Sequence, residues 1–151
     1  MHTINNIIAN KLRVRVCGLC LINQQLLLIK HTHLDGNGFF WAPPGGGIHF
    51  GEALASCLKR EFLEETYLPI EIGNLIHVDE FITEKYHAVE VFYKVNAQHT
   101  NFKLGHDPEF PSDDQLMTDI HLFTKKEIQQ LPNVQKHKVL QQKRVLKLVF
   151  D

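Results

Sequence analysis

The chain has 151 residues, of which 44% are hydrophobic and 22% are charged, and its formal net charge is −1. This length and composition predict one globular domain with a sizeable core, residues 1–151. The near-zero charge gives no support for capture of nucleic acid or an anionic membrane, and no apolar run reaches the ~20 residues of a membrane span. The N-terminal segment MHTINNIIANKLRVRV lacks the order of a secretory signal. We therefore expect a cytoplasmic protein without nucleic-acid or membrane partners.

Secondary-structure signals in the first half of the chain are strands separated by turn residues. We predict strands at Arg13 to Leu21, Leu26 to His31 and Phe39 to Trp41, the first two forming a hairpin. The polar segment from His31 to Gly38 is predicted to be a loop. The following segment, APPGGGIHFGE, is predicted to be irregular backbone because it is rich in proline and glycine.

The second half of the chain mixes helices with strands. We predict the following elements: a helix from Ala53 to Tyr67, two β-rich stretches from Ile70 to Phe81 and Ala88 to Val95, a strand from Asp119 to Thr124, a short helix from Lys125 to Leu131, and a final helix from Val134 to Phe150. The polar segment from Gln98 to Met117 should be a long loop, and such loops are often functional. This order predicts an α+β or α/β sandwich, with a core at about 11–131 and a C-terminal helix at about 134–150.

The chain has three cysteines, Cys17, Cys20 and Cys57. This small, odd number predicts that they are reduced thiols. Cys17 and Cys20 have C-x-x-C spacing, which can indicate a redox or zinc site. On a strand, however, residues three apart point to opposite faces, and no second pair completes a zinc site. We therefore interpret the cysteines as structural.

The predicted helix carries carboxylates within its apolar stripe. At about 100° per residue, one arc holds the following side chains: Ala53, Leu54, Cys57, Leu58 and Phe62, together with Glu61, Glu64 and Glu65. Like charges at these spacings repel by ~0.2–0.5 kcal/mol per pair, and burial increases the cost. A hard divalent cation would offset that cost. The alternative is an ordinary acidic helix surface on which Arg60 pairs with Glu64.

A run of glycines precedes this helix. Gly45, Gly46 and Gly47 allow the main chain to approach a ligand closely, and a loop entering a helix N-terminus offers free N–H groups to phosphate. His49, in the same loop, could also contact phosphate. The alternative is a plain turn, and the chain contains no P-loop motif.

Loop and helix together read Gly46-x5-Glu52-x7-Arg60-Glu61-Phe62-x-Glu64-Glu65-x-Tyr67-Leu68. This pattern closely resembles the Nudix box, G-x5-E-x7-R-E-U-x-E-E-x-G-U, in which U is a bulky apolar residue. The preceding Trp41-x-Pro43-Pro44-Gly45-Gly46 is similar to the family's lead-in. Tyr67 stands where the family has a glycine that ends the helix. The resemblance spans roughly Lys11 to Leu131.

The resemblance implies an α/β/α sandwich around a mixed sheet. It also implies hydrolysis of a nucleoside diphosphate linked to another moiety, with Mg²⁺ or sometimes Mn²⁺ as cofactor. Glu61, Glu64, Glu65 and the Gly46 carbonyl would bind the metal, and Glu61 or a neighbouring carboxylate would help to deprotonate the attacking water. Glu52 and Arg60 would orient the helix carboxylates. Many relatives are dimers, so a homodimer stays open.

Several residues outside the box are weaker candidates. A further carboxylate could come from Glu90, Asp107, Glu109, Asp113 or Asp114, although a solvated acidic loop is the simpler interpretation. Aromatic side chains that could stack on a base are Phe39, Phe40 and Trp41, with core packing as the alternative. The His31-x-His33 pair could reach one metal from a strand face.

Three functions are compatible with these observations. The favoured one is hydrolysis of a diphosphate linkage in a small nucleotide-like substrate, such as a nucleotide sugar or a nucleoside triphosphate. The second is a Nudix-like domain that senses a nucleotide without cutting it. The third is a structural protein with an acidic helix. The complete set of box carboxylates favours the enzyme, because a silent domain is free to lose them.

Overall fold

The computed structural model describes residues 9–33, 36–108 and 116–151. Within them, seven strands form one mixed sheet: β1 (Leu12–Ile22), β2 (Gln25–Thr32), β3 (Phe39–Ala42), β4 (Gly45–Gly47), β5 (Ile70–Ile82), β6 (His87–Ala97) and β7 (Met117–Phe123). The helices are α1 (Leu54–Thr66), α2 (Lys125–Gln130) and α3 (Lys143–Phe150), with 3-10 turns at Asn133–Gln135 and Lys138–Gln141. None of the helices in these residues has the length and apolar character that crossing a membrane requires.

The sheet is organised around β1. Its strand order is β3-β2-β1-β6-β5, with β4 paired to β1 and β7 paired to β2. β1 and β6 run parallel, from Leu12 opposite His87 to Cys20 opposite Val95, and the other pairings are antiparallel. β1 is almost continuously apolar in its buried half, which is typical of a strand covered on both faces.

Helices cover the two faces of the sheet. One core cluster contains Leu58 and Phe62 of α1, and the other contains Ile128 of α2 and Val145 of α3. The chain is therefore an α/β/α sandwich around a mixed sheet, as the sequence predicts.

Cys17 and Cys20 lie in different core clusters, as expected for residues three apart on a strand. Both are buried free thiols. Burial raises the pKa of the Cys17 thiol to about 12 and that of Cys20 to about 11. Buried, protonated thiols fit the structural interpretation.

Two segments differ from the prediction. Gly45–Gly47 is not irregular, because it forms β4 and pairs with Arg15, Val16 and Cys17 of β1. Glycines carry no side-chain alternation, so the sequence gives no strand signal there. The segment from Val134 to Phe150 is not one helix, because two 3-10 turns precede α3. At the second turn, Nδ1 of His137 accepts a hydrogen bond from the Val139 N–H at 3.0 Å, which diverts that donor from a helical partner.

The end of α1 keeps the geometry of a glycine cap without the glycine. Tyr67 adopts left-handed backbone angles, φ 61° and ψ 17°, and its N–H donates to the Leu63 carbonyl. This conformation costs a non-glycine residue roughly 1–2 kcal/mol. The departure from the family pattern therefore leaves the helix end in place and adds local strain.

Candidate active site

The glycine strand β4 packs directly against the carboxylates of α1. The Gly45 N–H donates to Oε1 of Glu65 at 2.8 Å. A Cβ at Gly46 would overlap the Glu61 carboxylate, so a larger residue there would displace that carboxylate. The structure thus brings together residues that the sequence places in separate parts of the motif, a loop and a helix.

Two of the helix carboxylates are buried. Glu61 is 6% exposed and Glu65 is 4% exposed. Burial raises the pKa of Glu61 to about 7; the charge and hydrogen bond of Arg60 oppose this shift, and the Glu64 charge adds to it. Burial also raises the pKa of Glu65 well above its usual range, despite the hydrogen bond from Gly45. Strongly shifted carboxylates in a cavity wall are typical of functional sites.

Arg60 links the loop before the helix to the helix carboxylates. Its Nε and Nη2 atoms donate to both oxygens of Glu52, at 2.8 and 2.9 Å. Its Nη1 atom donates to Glu61 at 3.0 Å and lies 3.4 Å from Oε2 of Glu64. Hydrogen bonding from Arg60 lowers the pKa of Glu52 to about 2, and Glu52 also accepts the His49 N–H at 3.1 Å. Arg60 is therefore held in place by two charge-assisted hydrogen bonds to one carboxylate.

The donor set fits a hard divalent cation. Buried carboxylate oxygens beside a glycine backbone are the ligand type that such ions prefer. Within the described residues, no three His, Cys, Asp or Glu side chains converge in this arrangement. In this arrangement Arg60 donates to Glu61 and Glu64, and Gly45 donates to Glu65.

A cavity of about 820 Å³ lies beside these carboxylates. Its volume is in the range of small-molecule sites. Acidic lining residues are Glu61, Glu65, Glu90 and Asp107, and basic lining residues are Arg13, Arg15, Lys85, Lys136 and Lys138. Acidic groups suited to a cation and basic groups suited to phosphate thus share one cavity, which we call the site cavity.

The long polar loop contributes to the site cavity through its first half. The Gly105 N–H donates to the Glu65 carbonyl at 2.7 Å, and the His106 N–H donates to the Glu64 carbonyl at 3.2 Å. These bonds fix the loop to the end of α1 and bring Asp107 to the cavity wall. The other loop candidates, Glu109, Asp113 and Asp114, lie outside the described residues.

Glu90 of β6 is buried and already has partners. Arg15 donates to it through Nη1 at 2.7 Å, and Nε2 of His137 lies 3.1 and 3.2 Å from its two oxygens. Burial alone would raise the pKa of Glu90, but the His137 hydrogen bond and the Arg15 charge outweigh burial and hold it below its usual value. Arg15 and His137 were not predicted as site residues. The spacing of Arg13 and Arg15 on an otherwise apolar strand could have indicated that Arg15 faces a polar site. No sequence feature indicated this for His137.

The aromatic candidates divide between core and cavity. Trp41 is 9% exposed and packs edge-on against Phe123, with ring centroids 4.8 Å apart. Phe40 lines the site cavity, and His31 stacks on it with centroids 5.4 Å apart. For Trp41 the core-packing interpretation holds.

The remaining candidates lie beside these groups or at the rim. Phe39 has the Lys30 ammonium over its ring. His33 also packs against Phe40, with centroids 5.0 Å apart. His49 is exposed and is not among the cavity-lining residues.

The fold and the family match together show a hydrolase that acts on phosphate anhydrides. A NUDIX domain model matches residues 11–143, and the chain therefore belongs to the Nudix family. Members of this family act on nucleoside diphosphate-linked substrates and generally use divalent metal ions.

Solved structures confirm the fold. A MutT NUDIX hydrolase from Burkholderia pseudomallei superposes with a TM-score of 0.71 at 21% identity, covering 91% of this chain and 98% of that chain. A MutT protein from Methanosarcina mazei Go1 gives 0.71 at 15% identity, covering 91% and 92%. An ADP-ribose pyrophosphatase from Streptococcus suis gives 0.62 at 15% identity, covering 91% and 89%.

Proposed function

We propose that this chain hydrolyses the diphosphate linkage of a nucleoside diphosphate joined to another moiety, with Mg²⁺ or Mn²⁺ as cofactor. The observation that carries the proposal is the pair of buried carboxylates, Glu61 and Glu65, packed against a glycine strand in the wall of a cavity that also presents arginines. Burial of two like charges side by side is costly, and a bound cation removes that cost.

The metal would be held by Glu61, Glu64, Glu65 and the Gly46 carbonyl. When bound, it would neutralise phosphate oxygens and lower the pKa of the attacking water. Glu61 or an adjacent carboxylate would accept the proton of that water. The backbone of Gly45 to Gly47 would approach the phosphates of the substrate. His49, in the loop between β4 and α1, would also contact them.

Arg60 is suited to exchange partners when metal binds. Metal ligation by Glu61 and Glu64 would displace the Arg60 Nη1 atom from both carboxylates. Nε and Nη2 would stay on Glu52, since those two bonds do not involve the metal-binding groups. Arg60 and Glu52 would thus keep the helix carboxylates oriented in both states.

The site cavity favours a substrate with a base and a second moiety. Phe40 offers an aromatic ring in the wall, and stacking is a base-tolerant contact. The S. suis neighbour is named as an ADP-ribose pyrophosphatase, so ADP-ribose is the first nucleotide sugar to test, beside nucleoside triphosphates.

We also propose a cytoplasmic protein without nucleic-acid partners that forms a homodimer. Exposed apolar side chains on β5, at Leu75, Val78 and Ile82, support the homodimer.

The test is turnover of a substrate panel with Mg²⁺ and with Mn²⁺. The panel contains ADP-ribose, other nucleotide sugars, dinucleoside polyphosphates and nucleoside triphosphates. A coupled phosphatase detects the products, and a coupled pyrophosphatase is used for the triphosphates. We expect turnover of one class, lost with EDTA, and a decrease of ~100-fold or more in kcat for Glu61→Gln and Glu65→Gln.

Glu71→Gln is the matched control, because Glu71 is exposed on β5 and is not among the cavity-lining residues. It should keep wild-type turnover. Absence of turnover across the panel, with Mg²⁺-dependent binding of ADP intact, would instead support the nucleotide-sensing alternative. That alternative is not favoured, because a domain that only senses a nucleotide is free to lose Glu61, Glu64 and Glu65, and all three are present.

A further inference from the structure

Arg15 lies between the glycine strand and a buried carboxylate. On one side β1 pairs it with Gly47 of β4, and on the other side it pairs with Glu90 of β6. Its Nη1 atom donates to Glu90 at 2.7 Å, which is the one hydrogen bond of this guanidinium to a described residue. A guanidinium carries five N–H donors, and this hydrogen bond uses one of them.

The other partner of Glu90 is a histidine whose protonated nitrogen is set by the backbone. The Val139 N–H donates to Nδ1 of His137 at 3.0 Å, so Nδ1 is an acceptor. The proton of the neutral ring is then on Nε2, which donates to Glu90 at 3.1 and 3.2 Å. The main chain of His137 is itself fixed, because its N–H donates to the Trp41 carbonyl at 2.8 Å.

Glu90 is therefore held from two sides. Arg15 and His137 donate to its carboxylate, and Glu90 is 5% exposed. Glu90 orients the Arg15 guanidinium. Because the guanidinium is planar, a hydrogen bond at one of its nitrogens also sets the direction of its other N–H groups. The Arg15 side chain is 27% exposed and lines the site cavity with Glu61 and Glu65.

We propose that Arg15 binds a non-bridging oxygen of the substrate diphosphate, and that Glu90 and His137 position Arg15 for this contact. The inference rests on the proposed function, because it assigns the phosphate-binding residue of that same site. It also gives Glu90 a role other than metal ligand. Arg15 contacts substrate in this scheme, whereas Glu90 and His137 act through it.

The test measures binding and turnover separately. Binding of α,β-methylene-ADP with Mg²⁺, by calorimetry, needs no turnover, and kcat and KM are measured on whichever panel substrate is cleaved. Arg15→Lys keeps the charge and loses the fork, so we expect affinity for the analogue to fall ~10- to 100-fold. Arg144→Lys is the control, because Arg144 is an exposed arginine on α3 that donates to the Ile76 carbonyl and is not among the cavity-lining residues.

The positioning role is tested at His137 and Glu90. His137→Leu removes the donor to Glu90 and should weaken binding of the analogue ~3- to 10-fold. Glu90→Gln should weaken it by a similar factor. His137→Gln should stay within ~2-fold of wild type, because its amide N–H can still donate to Glu90. In a double-mutant cycle, His137→Leu should have no further effect in the Arg15→Lys background. A merely structural role would lower the unfolding midpoint without this dependence on Arg15.

Distinct results separate the two proposals. Normal analogue affinity in Arg15→Lys, or equal effects of His137→Leu in both backgrounds, would overturn the inference while leaving hydrolysis untouched. Loss of affinity in Arg15→Lys without turnover of any panel substrate by the wild type would support the phosphate contact and count against hydrolysis. If Arg144→Lys weakened binding as much as Arg15→Lys, the effect would not be specific to the cavity, and the inference would fail.

Discussion

Replacing Glu61 by glutamine should remove part of the pH dependence of stability in the metal-free protein. Burial raises the pKa of Glu61 from 4.5 to about 7. A carboxyl group whose pKa is raised by folding stabilises the fold below its unfolded pKa, and this contribution is lost as pH rises through the folded pKa. Ionisation of Glu61 should therefore cost the wild type about 3 kcal/mol between pH 4.5 and pH 8, from ~1.4 kcal/mol per pKa unit.

The glutamine variant has nothing to ionise at this position. Its free energy of unfolding, relative to wild type, should therefore rise by about 3 kcal/mol between pH 4.5 and pH 8. Urea unfolding in EDTA at the two pH values measures this difference, with Glu71→Gln as the control for an exposed glutamate. Glu65 is present in both proteins, so most of its own contribution cancels in the comparison.

Metal provides the second half of the test. At pH 8, Mg²⁺ should stabilise the wild type, because binding to the native state adds to its stability, and it should do so much less in Glu61→Gln. If the difference in free energy of unfolding between wild type and Glu61→Gln did not change with pH, Glu61 would not be a buried carboxylate with a raised pKa. Equal stabilisation of both proteins by Mg²⁺ would refute Glu61 as a ligand.

Three further substitutions test the helix end, the aromatic wall and the core. Tyr67→Gly should raise the free energy of unfolding, measured in urea, by about 1 kcal/mol, because Tyr67 holds a left-handed backbone conformation that glycine adopts without strain. A lower free energy of unfolding would show that the exposed ring stabilises the fold by more than the strain costs. Phe40→Leu should raise KM for the nucleotide substrate ~5-fold or more and leave inhibition by inorganic pyrophosphate unchanged, because only the base can stack; an equal effect on both would place Phe40 near the phosphates. Trp41→Leu, in the core, should instead lower stability by ~3 kcal/mol.

The carboxylate half of the candidate site could be predicted because it is local. Residues three and four apart on a helix share a face, so the clustering of Glu61, Glu64 and Glu65 follows from sequence spacing alone. The same spacing places all three beside the apolar stripe of Leu58 and Phe62, and the structure buries Glu61 and Glu65 and leaves Glu64 half-buried. The long spacings to the preceding glycines then matched a family pattern, and the family match over residues 11–143 confirmed it.

The other half could not be predicted because it is assembled by strand pairing. Arg15 and Glu90 are 75 residues apart and meet because β1 and β6 run parallel in one register. A one-residue shift of that register would turn Arg15 away from Glu90, and nothing in a single sequence fixes such a register. His137 reaches the same carboxylate through a 3-10 turn that periodicity reads as continuous helix.

This division has a physical consequence for substrate choice. Metal and anhydride chemistry require carboxylates held within a few ångströms of one another, and in this chain a glycine strand packed on one helix supplies that geometry. Under the proposed function, the moieties on either side of the diphosphate would reach farther, to side chains that come from β1, β3, β6 and the C-terminal turns. Changes in those elements can therefore alter which substrate is held while the carboxylates stay in place. The ion pair of Arg15 with Glu90 lies where the two parts meet, so we expect its variants to change affinity more than the rate of the bound substrate.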